Sequence, residues 1–94
     1  VVKFLIFTTA TFLVACTHPA PLSEYTTART ALEAARRAEA VRYAPTDFHR
    51  AEGSYRKGEF FFKEKEYDRA RQAFILTQRY AEKAENKARL DPKK

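Results

Sequence analysis

From residue 23 onward the apolar positions recur every three to four residues, and they do so in three successive runs. In the first, Tyr25, Ala28, Leu32, Ala35 and Ala38 form a stripe that Val41 continues, while Arg29, Glu33, Arg36, Arg37 and Arg42 fall largely off it. This predicts a helix over residues 23–43, with Ser23 as its N-cap and Glu24 facing the positive end of the helix dipole. Its seam is mostly alanine, so it should approach a partner that carries large side chains closely. Pro45 lacks an N–H donor and disfavours helical geometry at Ala44, which ends the run. Thr46 or Asp47 is then expected to cap a second helix over residues 46–63, in which Phe48, Ala51, Tyr55, Gly58 and Phe62 share one face. Ser54 and Phe61 lie on the edge of that face, and Phe60 points away from it among His49, Arg56 and Lys63. The third run, Tyr67, Ala70, Phe74, Thr77, Ala81, Ala84 and Ala88, broadened by Ala73 and Tyr80, predicts a helix over residues 67–90. Asp68 suits its start and Lys87 and Arg89 its end. Residues 63–66 hold neither Gly nor Pro, so the break there is inferred from the change of phase alone. The fold class is all-α: a three-helix antiparallel bundle over residues 23–91, or a helical hairpin plus one preceding helix, with a short tail at 92–94.

The beginning of the chain has a different pattern. Lys3 precedes an apolar run from Phe4 to Val14, too short for the roughly 20 residues that span a hydrocarbon core. A basic residue, an apolar stretch of that length and then small residues read as a signal peptide, here residues 1–15. Leu13-Val14-Ala15-Cys16 resembles the lipobox of bacterial lipoproteins. The resemblance implies a diacylglyceryl thioether on Cys16, cleavage between Ala15 and Cys16, and acylation of the new amine. Cys16 is the only cysteine, and lipidation accounts for an otherwise unpaired thiol in an exported chain. The competing reading is an ordinary secretory peptide with an incidental cysteine. Two or more acyl chains hold a protein on a bilayer stably where one does so only marginally. Thr17, in the place where Asp would imply retention, implies transport to the periplasmic face of the outer membrane. Residues 16–22 then form the lipidated cysteine and an extended linker, since Pro19 and Pro21 disfavour helix before them.

Two further resemblances concern the helices. Gly58, Phe61, Tyr67, Ala70 and Phe74 are spaced as in one tetratricopeptide unit, with departures at Ser54, Lys57, Thr77 and Glu82. This implies a helical hairpin packed in that manner. From Cys16 to Leu90 the chain is similar to the short alanine-rich lipoproteins of domain of unknown function 4398. The likeness is carried by the alanine-rich stretch from Ala28 to Ala40, the Ala44-Pro45 break, Ala51-Glu52 with Gly58, and Tyr67-Asp68-Arg69-Ala70. What it implies is an all-helical periplasmic module without known catalysis.

The formal net charge of +6 suits anionic surfaces, but the 32% of charged residues mix both signs as a solvated helical surface does. Basic residues are spread around all helix faces rather than along one stripe, which argues against nucleic acid as a partner. His18 and His49 are the only histidines, no His-x3-His pair or glycine-rich phosphate loop is present, and no catalytic residue, metal site or cofactor is expected. Phe60, Ile75 and Leu76 break the amphipathic rule. Either the first helix covers them, or they form an apolar patch ringed by Arg56, Lys57, Arg71 and Arg79 on which a partner protein docks. The expected function is that of an outer-membrane-anchored periplasmic lipoprotein, held to membrane lipid through acylated Cys16, that acts as a non-catalytic adaptor or scaffold for another envelope protein. The alternative is a structural tether to peptidoglycan, prompted by Lys93-Lys94, which resembles the C-terminal lysine of the major outer-membrane lipoprotein.

Overall fold

The computed structural model describes residues 19–91, and every described element is a helix. The signal peptide, Ala15, Cys16, Thr17, His18 and the 92–94 tail lie outside the described residues. The order is α1 (Leu22–Arg37), α2 (Ala40–Tyr43), α3 (Pro45–Lys63) and α4 (Tyr67–Leu90). The architecture is an all-α bundle in which α4 packs along both α1 and α3, while α1 and α3 touch each other far less.

Three local expectations are corrected. Ser23 does not cap α1: the helix starts one residue earlier, the Pro21 carbonyl accepts its first bond from the Tyr25 N–H at 3.0 Å, and the Ser23 hydroxyl turns to the Glu24 carboxylate at 3.3 Å. Neither Thr46 nor Asp47 caps α3. Pro45 is itself the first helical residue, where its missing N–H has no partner to lose and its fixed φ suits the helix; the Ala44 carbonyl accepts from the Phe48 N–H at 3.0 Å.

The third correction is that the helix expected over residues 23–43 is broken. Glu39 adopts left-handed geometry at φ 64, its N–H donates to the Arg36 carbonyl at 2.9 Å, and α2 restarts from the Glu39 carbonyl. Continued without a break, the stripe through Ala35 and Ala38 would bring Arg42 toward the interior, where a guanidinium is costly to desolvate. The break instead buries Ala40 and Ala44 and leaves Arg42 exposed. Val41, assigned to the stripe on periodicity, is consequently 50% exposed.

The break at residues 63–66 is real and separates α3 from α4 as a hairpin. Lys65 takes the left-handed position at φ 62; its N–H donates to the Phe62 carbonyl at 3.0 Å and the Glu66 N–H to the Phe61 carbonyl at 2.9 Å. That pair of bonds is a Schellman motif with lysine standing where glycine is usual. Lysine fills the left-handed position that glycine usually takes, so no turn residue marks the stop in the sequence.

The interior is mostly alanine. Around Phe48 and Leu32, the side chains of Ala31, Ala35, Ala38, Ala40, Ala44, Ala51, Ala81, Ala84 and Ala88 form one core cluster; Ala28, Ala70 and Phe74 form a second near the other end. Every α4 stripe residue from Ala70 to Ala88 is buried, and Thr77 satisfies its hydroxyl by donating to the Ala73 carbonyl at 2.9 Å. Such seams bury little area per residue but let helix backbones approach one another. Gly58 shows how close: a Cβ placed there would lie 2.5 Å from Phe74 Cε1, and Phe74 is fully buried.

At the opposite end Asp47, 3% exposed, lies on the first turn of α3 and faces α4. Lys87 Nζ stands 2.7 Å from its Oδ2 and Lys83 Nζ 4.0 Å from its Oδ1. Oδ2 has no aligned hydrogen-bond donor, so this is an ion contact rather than a directed bond. The Lys87 contact, opposed by burial and supplemented by Lys83 and Arg50, holds the Asp47 carboxyl below its ordinary range. A carboxyl lowered in the folded state contributes stability that is complete above about pH 4 and is lost as pH falls through the folded value.

Two measurements check this account of the packing. Gly58→Ala should lower the stability in urea unfolding by about 1–3 kcal/mol, because the new methyl overpacks the Phe74 ring and forces it to shift. Asp47→Ala should cost about 1–3 kcal/mol near neutral pH, and the gap between variant and parent should close as pH is lowered below 4.

Candidate functional site

The chain has one end where α1 begins, α3 ends and α4 begins, and its aromatic residues gather there. Tyr25 of α1 stacks on Tyr55 of α3 with ring centroids 5.9 Å apart and meets Phe74 of α4 edge-on at 5.3 Å. Phe62 lies 6.3 Å from Tyr25 and 5.6 Å from Tyr67. Stacked and edge-to-face pairs of this kind add to the area they bury, so Tyr25 is the ring that joins all three long helices. Burial first, and then the neighbouring Tyr25 hydroxyl, push the Tyr55 phenol up.

Polar contacts hold the same junction from outside. Arg71 of α4 reaches Glu24 of α1 at 3.6 Å and Asp68 at 3.2 Å, and donates to the Pro19 carbonyl at 3.3 Å. One guanidinium thus positions the start of α1 and the end of the linker against α4. Arg69 pairs with Glu66 at 3.2 Å and lies over the Phe61 ring.

Between the start of α1 and the second half of α3 this end opens into a groove of about 590 Å³. Phe74 forms its floor, with Tyr25 and Phe62 as walls; Leu22 and Phe60 stand at its lip, 61% and 58% exposed. Arg56, Glu59 and Lys63 line the α3 rim. None of those three has an ion-pair partner among the described residues. The volume lies within the range of sites that seat a small molecule or a few apolar side chains.

The candidate binding residues are therefore divided by the structure. Arg56 and Phe60 belong to one groove. Ile75, half-buried, and Leu76, 42% exposed, are on α4 and do not line it. Helix α1 leaves both Phe60 and Leu76 open to solvent. Arg71, expected in the ring of cations, is occupied by carboxylates. Leu22 was assigned to the linker, and Glu59 and Lys63 to no site. Leu22 had a signal: it stands three residues before Tyr25 and extends the first stripe by one turn, which a helix start at Ser23 conceals.

Chemically the groove offers apolar rings and three charges of mixed sign, with no nucleophile set beside a base. Among the described residues no group of three or more His, Cys, Asp or Glu side chains could hold a metal ion, and no helix is long and apolar enough to cross a membrane. The sequence model of the family described as Domain of unknown function (DUF4398) matches residues 23–94. No curated protein and no solved structure matches the chain.

The exposure of Phe60 sets a measurable contrast. Phe60→Ser should change the unfolding free energy by no more than about 0.5 kcal/mol, as surface substitutions do. Phe74→Ala, from the floor of the same groove, should cost about 3–5 kcal/mol; thermal or urea unfolding separates the two.

Proposed function

The chain belongs to the DUF4398 family, and on that premise we propose that it is a lipid-anchored, non-catalytic adaptor of the bacterial envelope that docks another protein at the groove beside Phe60. The observation that carries the reading is the pairing of a large exposed ring with an open aromatic groove, rimmed by Arg56 and Lys63. An isolated exposed phenylalanine needs no explanation, but one at the mouth of a preformed apolar cavity is how interface anchors are arranged. The α3–α4 hairpin, closed by the Gly58 to Phe74 approach, serves as the tetratricopeptide-like support that holds this surface rigid.

The anchoring half of the proposal rests on Leu13-Val14-Ala15-Cys16. Acylated Cys16 would hold the chain on the periplasmic face of the outer membrane, with the short linker delivering α1 and the groove near that surface. A covalent link to peptidoglycan through Lys93-Lys94 is the alternative reading.

Labelled palmitate is expected to mark the chain, and Cys16→Ser should remove both the label and the protein from the outer-membrane fraction. Absence of label, with an unchanged fraction for the variant, overturns the anchor. A photo-crosslinker at position 60 in whole cells should join a second protein, and the same group at position 76 should not; the reverse result moves docking away from the groove. Muropeptide analysis that finds the C-terminal peptide attached would establish the tether instead.

A further inference from the structure

Three of the basic side chains at this end of the bundle are already engaged. Arg29 lies over Tyr25, Arg69 over Phe61 and against Glu66, and Arg71 is held by Glu24 and Asp68. Arg56 and Lys63 are the two cations that line the groove: both are exposed, and neither has a carboxylate within ion-pair distance among the described residues. They are seven residues apart on α3, two helical turns, or roughly 10 Å along the axis. Glu59 sits between them on the same rim, so the rim reads positive, negative, positive, with Phe60 beside the acid.

We propose that the groove takes a helix of a partner protein that carries two acidic side chains two turns apart with an apolar pair between them. The two acids meet Arg56 and Lys63, the apolar pair enters between Leu22 and Phe60 over Phe74, and Glu59 excludes a third acid at the middle. Helix-in-groove recognition uses this spacing of anchors, and complementary charge supplies register and selectivity. The proposal rests on the adaptor reading above and names the chemistry of its partner.

The alternatives fit the charges less well. An anionic bilayer would press Glu59 and Glu64 against like charge, and both are exposed. A second copy of this chain fits less well outside the groove itself: of its other exposed apolar residues, Val41 stands four from Arg37, Leu76 three from Arg79 and Leu90 three from Lys87, so each would bring a cation toward Arg56 or Lys63.

The test uses the full lipidated chain in phosphatidylcholine vesicles and a fluorescent alanine-rich helical peptide in which two glutamates, two turns apart, flank a leucine pair. Fluorescence anisotropy should show this peptide binding at least about tenfold more tightly than the same peptide with lysines for glutamates. Arg56→Glu combined with Lys63→Glu should reverse that preference while circular dichroism stays unchanged, and Phe60→Ser should weaken both peptides. Equal binding of the two peptides, or no reversal in the double variant, overturns the proposal. A crosslinker at position 60 that labels phosphatidylglycerol in mixed vesicles, undiminished by the acidic peptide, overturns it in favour of the bilayer. Protein crosslinked at position 60 in cells together with equal peptide binding removes this inference and leaves the adaptor; no protein crosslinked in cells removes both.

Discussion

Phe74 is the one bulky side chain on the buried seam of α4, and the accommodation of its ring constrains the rest of the bundle. Alanine and threonine occupy the remaining buried α4 positions, so α1 and α3 can approach it closely along most of its length. At Phe74 that approach is possible only because Gly58 presents no side chain and because Tyr25 takes the ring edge-on from α1. The large ring and its aromatic neighbours fill one end of the bundle. At the other end Phe48 and Leu32 close over small residues. The groove lies at the aromatic end, with Phe74 among its lining, so the contact that closes the hairpin also shapes the candidate binding surface.

The chain achieves its corners without glycine. Both left-handed positions are filled by charged residues, Glu39 and Lys65, whose side chains extend into solvent. The two glycines lie inside α3 instead, Gly58 for close packing and Gly53 facing open space. A corner without a marker residue is held by the packing of the next helix. After Glu39 that is the burial of Ala40 and Ala44, and after Lys65 it is the burial of Ala70 and Phe74 with Ala28 of α1. The ion contact of Asp47 with Lys87 fastens the start of α3 to the last turns of α4, far from the groove.

Charge has two uses on this surface. Several arginines place the guanidinium over a ring, Arg36 over Phe48, Arg42 over Tyr43 and Arg50 over Tyr80 among them, where it covers apolar surface while remaining solvated. Others pair with carboxylates one turn away. Part of the positive charge is therefore engaged within the bundle, as the mixture of signs in the sequence implied. What remains unengaged at the groove, Arg56 and Lys63 with Glu59 between, is a small pattern of alternating charge rather than a basic field.

Periodicity alone determined that the chain is all-α, that α4 runs from Tyr67 to Leu90, and that one face of each long helix is buried, because side-chain direction repeats every 3.6 residues wherever the backbone is helical. The same reasoning singled out Phe60, Ile75 and Leu76 as apolar residues off their stripes, with Arg56 beside Phe60. It erred where direction depends on neighbours distant in sequence. Whether the first run continues past Ala38 depends on the cost of turning Arg42 inward against α3 and α4, and whether Asp47 caps its own helix depends on two lysines about forty residues away on α4. The separation of Phe60 from Leu76 is of the same kind. Both are simply off-stripe in sequence, and only the way α1 crosses α4 without covering α3 places one of them at a groove and the other on an open helix face. A helix specifies its own faces by local geometry; which of them meet is decided by the fit of Phe74, Gly58 and Tyr25 across three helices.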